Sequence, residues 1–141
     1  MKKSLLVLST ALLSVTIAFA QQKNAAVPTV ARQAFEKSFP GATKVKWEKE
    51  KSDYEVNFMM SGKQMSVLYD NAGTLKETEE KIAISELPAS AVAYVKQHHK
   101  NAAIKEAAKI SKSDGTLNYE AEVNKTDLIF DQAGKFIRQE K

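Results

Sequence analysis

The sequence predicts an α+β fold of two tandem units. Each is a helix followed by about four short antiparallel strands, with the sheets merged or packed together and both helices on one face. Three observations carry this. Apolar residues recur at helical spacing after Val27-Pro28 and again after Leu87-Pro88. The segments that follow alternate apolar and polar residues with period two, which marks antiparallel strands with one face buried and one wet. An ordered set of short motifs also occurs twice: Tyr54-Glu55-Val56 is echoed by Tyr119-Glu120-Ala121, and Val67-Leu68-Tyr69-Asp70-Asn71-Ala72-Gly73 by Leu128-Ile129-Phe130-Asp131-Gln132-Ala133-Gly134.

The elements follow in order. Pro28 suits a first helical turn, where its missing N–H costs nothing. Val27, Val30, Ala31, Ala34, Phe35 and Phe39 then form one apolar stripe, and Pro40-Gly41 ends the helix. Val45 and Trp47 alternate with Lys44, Lys46 and Glu48. Tyr54, Val56 and Phe58 alternate with Glu55 and Asn57, and Met65, Val67 and Tyr69 form a third row. Thr78–Glu86 reads as the connection between units, and the charged run Glu77 to Lys81 as a solvated strand end. In the second unit Pro88, Ala91, Val92, Val95 and His99 repeat the helical stripe, with Lys100-Asn101 at its stop. Ile104, then Leu117, Tyr119, Ala121 and Val123, then Leu128 and Phe130 supply its strands. Asp70-x-x-Gly73 and Asp131-x-x-Gly134 are hairpin turns with glycine in the left-handed position. A sixty-residue unit without disulfides has a marginal core, which favours joining the two sheets.

Residues 1–20 read as an export signal. Lys2 and Lys3 precede an apolar run from Leu5 that ends Ala18-Phe19-Ala20, so cleavage is expected between Ala20 and Gln21. The organisation is thus a signal peptide (1–20) and two units (21–84 and 85–141) of a periplasmic or secreted protein. Removal of the two lysines takes Lys+Arg from 21 to 19 against 17 acids, lowering the formal charge from +4 to +2. That is too little for nucleic-acid binding, where clustered positive charge supplies the affinity. There is no Cys, hence no disulfide, thiol nucleophile or Cys-based metal site.

Val-Pro before a helix, Phe39-Pro40-Gly41-Ala42, Val45-Lys46-Trp47-Glu48, Tyr54-Glu55-Val56, Asp70-x-x-Gly73 and Glu86-Leu87-Pro88 together resemble the exported β-lactamase-inhibitor-like proteins with tandem PepSY-like domains. The resemblance spans essentially the whole chain after the signal. It implies a repeated helix-plus-sheet unit, a periplasmic location and no catalytic residues. The second unit departs from it: His99-Lys100 replaces Phe-Pro, and Glu106 or Ala107 stands where the first unit has Trp47.

No nucleophile elbow, phosphate-cradling glycine loop or His-Glu-x-x-His occurs, and no catalytic residue, cofactor or metal is expected. His98 and His99 are adjacent, so on a helix they point about 100° apart and do not face one ion together. Asp70 and Asp131 have too few oxygen ligands around them for a calcium loop. The expected function is therefore binding, through the sheet face left open by the helices. That face is expected to carry Lys46, Glu48, Glu55, Asn57, Asn118, Glu120 and Glu122, whose mixed charge suits a protein partner. The partner is expected to be a periplasmic protein, such as a protease or other envelope enzyme restrained by this chain. A structural or stress-response envelope protein without a ligand, and a hydrolase using the strand glutamates, are the competing readings.

Overall fold

Alternation of period two over five short segments leaves one stable arrangement, a sheet with a single apolar face, and the computed structural model has it. It describes residues 26–100 and 102–140; the expected signal peptide and its cleavage point at Ala20-Gln21 lie outside them. The order is α1 (Thr29–Ser38), β1 (Thr43–Glu50), β2 (Asp53–Met60), β3 (Lys63–Tyr69) and β4 (Leu75–Ile82). A single 3-10 turn at Ile84–Glu86 follows, then α2 (Ala89–His98), β5 (Ile104–Lys112), β6 (Leu117–Val123), β7 (Thr126–Asp131) and β8 (Phe136–Glu140). All eight strands form one antiparallel sheet in sequence order, so β1 and β8 are its edges. The sheets expected of the two units are continuous through the β4–β5 pairing, with Glu79 opposite Ile110 and Ile82 opposite Ala107.

Register places both helices on one face. Val56 faces Val67, Val67 faces Thr78, Thr78 faces Ser111, and Ala107 faces Ala121, so these residues share a side. On that side Ala31 and Phe35 of α1 pack with Tyr54, Val56, Phe58, Val67 and Tyr69. Ala91 and Val95 of α2 pack with Ala107, Ala121, Val123, Leu128 and Phe130. Trp47 meets Phe35 edge-on at 5.6 Å on this side.

The sequence reading of Thr78–Glu86 as a connection is corrected. Strand β4 runs to Ile82, and only the short turn remains before α2. Glu77 to Lys81 is likewise not a solvated strand end. It is an interior strand of the sheet, because backbone pairing to β3 and β5 outweighs the low strand propensity of Glu and Lys.

The repeated Asp-x-x-Gly turns bring backbone against helix. Asp70 Oδ1 accepts from the N–H groups of Ala72 and Thr74 at 2.8 and 2.9 Å, and Asp131 Oδ1 accepts from Ala133 and Lys135 at 2.9 Å each. Both carboxylates are thus occupied in shaping turns. Gly134 (φ +79°) lies under the start of α2, where an added Cβ would stand 2.1 Å from Ser90 Oγ and 2.7 Å from Pro88 Cβ. Gly134→Ala combines left-handed strain with overpacking and is expected to cost about 2–4 kcal/mol. Gly62→Ala, at φ +78° with open space around it, is expected to cost only about 1–2 kcal/mol. Paired urea melts check the difference.

Candidate functional site

The face without helices is where polar residues were expected to meet water, yet its centre is not solvated. Ile129 is 1 % exposed, Asn118 3 % and Ile110 5 %, although neither described helix covers them. The sheet curls so that this face is concave, and it encloses a cavity of about 330 Å³. Carboxylates alternate with aliphatic side chains across it: Glu55 stands opposite Leu68, Glu79 opposite Ile110, and Glu120 opposite Ile129. Asp127 completes the inner acids.

Among the described residues two cations line the cavity, and both stand beside rim acids: Arg138 bonds Glu140 at 2.5 Å, and Lys112 lies 4.0 Å from Glu77. Among the described residues no ion pair reaches Glu55, Glu79, Glu120 or Asp127. The consequence is electrostatic. Burial first, and then repulsion from Glu55 and Glu77, pushes the Glu79 carboxyl up to about 7. Burial, and then repulsion from Glu79 and Asp127, pushes Glu120 up to about 8. Burial also raises Glu55 and Asp127, in Glu55 against hydrogen bonding from Ser66. Among the described residues no three His, Asp or Glu side chains come together as a metal-binding group.

Of the seven residues expected on this face, the cavity gathers Glu55, Asn118 and Glu120. Asn57 lines an adjoining smaller recess with Glu55 and Glu120. Lys46 and Glu48 sit apart on the edge strand β1, paired with each other at 2.5 Å. Glu122, near the β6–β7 turn, lines neither recess. Two expectations are corrected. Asn118 is buried rather than outward in solvent, and the strand glutamates are partly desolvated rather than a freely solvated row. The reason is the same: curvature brings Leu68, Ile110 and Ile129 around side chains that a flat sheet would leave in water. Sequence reasoning missed Glu79 and Asp127. Glu77 to Lys81 is polar at every position, so no alternation marks a strand there, and only register, with Glu79 opposite Ser66 and Ile110, places Glu79 in the same cavity as Glu55 and Glu120.

The histidines take structural places. His98 Nδ1 lies 3.0 Å from the Tyr94 carbonyl and its ring stacks on Tyr94 at 4.0 Å, while the half-buried His99 ends α2. No described helix is long and apolar enough to cross a membrane.

Comparison with known proteins adds to this geometry. A family model described as "Putative beta-lactamase-inhibitor-like, PepSY-like" matches residues 19–77 and 59–138. No curated protein sequence matches. Among solved structures, a protein of Bacteroides eggerthii described as a "putative periplasmic" protein is 17 % identical, with a TM-score of 0.72 over 82 % of this chain and 89 % of that one. A BLIP-like protein of Bacteroides fragilis is 19 % identical, with a TM-score of 0.65 over 83 % and 88 %. A DUF2874 family protein of Bacteroides uniformis is 18 % identical, with a TM-score of 0.70 over 80 % and 88 %. At these identities the likeness is one of fold.

Proposed function

The chain belongs to this PepSY-like, β-lactamase-inhibitor-like family, and from that premise we propose that it is an exported, non-catalytic binding module built of two helix-plus-four-strand repeats. Its concave sheet face takes up a cationic segment, lysine or arginine side chains, of a periplasmic protein partner. One observation carries the reading: four inner carboxylates share a partly desolvated cavity with no counter-cation of their own among the described residues. Such a cavity gains when a cation enters, because the attraction is strong at reduced dielectric and the carboxylate repulsion is relieved. The aliphatic side chains beside Glu55, Glu79 and Glu120 match the methylene stem of a lysine or arginine. Where the inserted loop belongs to a protease or another envelope enzyme, its occupation would restrain that enzyme.

The same carboxylates support a second reading, acid–base hydrolysis. That chemistry needs one carboxyl raised and its neighbour kept ionised. Here all four inner acids move upward together, which favours binding.

The test is calorimetric titration with a short peptide of alternating lysine and leucine, against the same peptide with glutamate for lysine. Binding of the lysine peptide is expected at pH 9 and at least tenfold weaker at pH 5.5, where Glu79 and Glu120 are protonated. Glu79→Gln with Glu120→Gln is expected to weaken it similarly at pH 9. Equal binding of the acidic peptide, or indifference to pH and to these substitutions, refutes the reading.

A further inference from the structure

Independently of the concave face, we propose that β1 is a self-complementary pairing edge onto which a second copy of this chain adds, antiparallel and with its two-fold axis at Trp47. Among the described residues strand β1 has β2 as its one neighbour, and every residue in it except Trp47 is exposed. Its outer backbone groups are therefore open to another strand. Beside it a groove of about 420 Å³ of mixed character runs between β1 and α1, lined by Phe35, Phe39, Val45 and Trp47 and by the charged Arg32 and Glu36. Val45 is 44 % exposed there.

The charge order decides the partner. A β-bulge between Thr43 and Lys46, with Lys44 in the left-handed region, interrupts the strand at its start, so the regular stretch is Lys46–Glu50. Lys46 and Glu48 lie on the sheet face away from the helices, opposite Asn57 and Glu55, while Trp47 is on the helix face, opposite Val56. With the axis at Trp47, Lys46 of each copy stands across from Glu48 of the other, giving two cross-strand ion pairs. Moving the axis to Lys46 sets lysine against lysine, and moving it to Glu48 sets glutamate against glutamate. Edge lysines ordinarily repel an added strand; the registers about Lys46 and Glu48 offer Lys44–Glu48 or Lys46–Glu50 pairs but carry a like-charge contact on the axis, whereas the Trp47 register matches Lys46 with Glu48 and has none.

The helix side agrees. A two-fold axis normal to the sheet keeps both α1 helices on one side and antiparallel, so the two grooves face each other. Arg32 and Glu36 border the groove one helical turn apart. Antiparallel helices set Arg32 of one copy towards Glu36 of the other, the reciprocal pattern of an isologous contact.

Sedimentation velocity from micromolar to millimolar concentration tests this on the exported protein. A reversible monomer–dimer equilibrium is expected. Trp47, the sole tryptophan, is expected to shift its emission to the red on dilution as the axis opens. Glu48→Lys and Lys46→Glu make both cross-strand contacts repulsive, and each is expected to weaken dimerisation about tenfold or more. The double variant Lys46→Glu/Glu48→Lys restores opposite charge and is expected to dimerise within a few-fold of the parent. An equimolar mixture of the two single variants is expected to form mixed dimers. Circular dichroism melts verify that each variant is folded. A parent that stays monomeric throughout, a dimer unmoved by the single changes, or a double variant as weak as the singles overturns the proposal.

Discussion

Phe58→Ala is expected to lower the unfolding free energy by about 3–5 kcal/mol, the range for removing a buried aromatic ring. Phe58 is 2 % exposed and meets Phe35 at 5.0 Å, nearly edge-on, and Phe39 at 4.9 Å. It therefore joins β2 to the last turn of α1. Alanine leaves a cavity that two ordered rings and a fixed sheet cannot fill, so the loss exceeds simple transfer of the ring to water. Val30→Ala, on the exposed side of the same helix, supplies the control; at 48 % exposure its change is expected to stay within about 0.5 kcal/mol. Urea melts of the two variants give both numbers. A Phe58→Ala loss as small as that of Val30→Ala would show that α1 is not held by this contact.

Neutralising Glu79 and Glu120 together, as Glu79→Gln/Glu120→Gln, is expected to stabilise the protein above neutral pH and to do little in acid. The direction follows from proton binding. Both carboxyls have an ordinary value of 4.5, and the fold raises them to about 7 and about 8. Between those limits the folded chain holds protons that the unfolded chain has released, so stability falls as pH rises from about 4.5 to about 8 and then levels. Below 4.5 both states are protonated and the penalty vanishes. The full shift would correspond to several kcal/mol per group. Both acids still reach water through the open mouth, so about 1–3 kcal/mol in total is expected at pH 9. Thermal melts from pH 4 to pH 9 should show a parent whose stability declines across this window and a double variant with a flatter profile. Parallel profiles would mean that the inner acids are solvated after all, and would remove the electrostatic basis of the binding site.

The sequence by itself determined the fold class, the order of most elements and, for the strands it marked, the side that packs under the helices. Those features are written in spacing: Val27, Ala31 and Phe35 at helical intervals, Tyr54, Val56 and Phe58 at every second position, and glycine where a turn needs positive φ at Gly73 and Gly134. Such signals are local, and alternation is enough to separate Glu55 and Glu120 from the apolar face. It was not enough to identify β4. There Leu75–Ile82 is rich in charge, and the strand is held by pairing with β3 and β5 across the middle of the sheet. Tertiary structure alone decided what the polar face is. Glu55, Glu79, Glu120 and Asp127 come from four strands, and no spacing along the chain brings them together. Their meeting depends on inter-strand register and on sheet curvature, both of which are sums over many contacts. The same curvature desolvates Asn118 and the inner acids. Lys46 and Glu48, equally polar in sequence, remain at the edge in water.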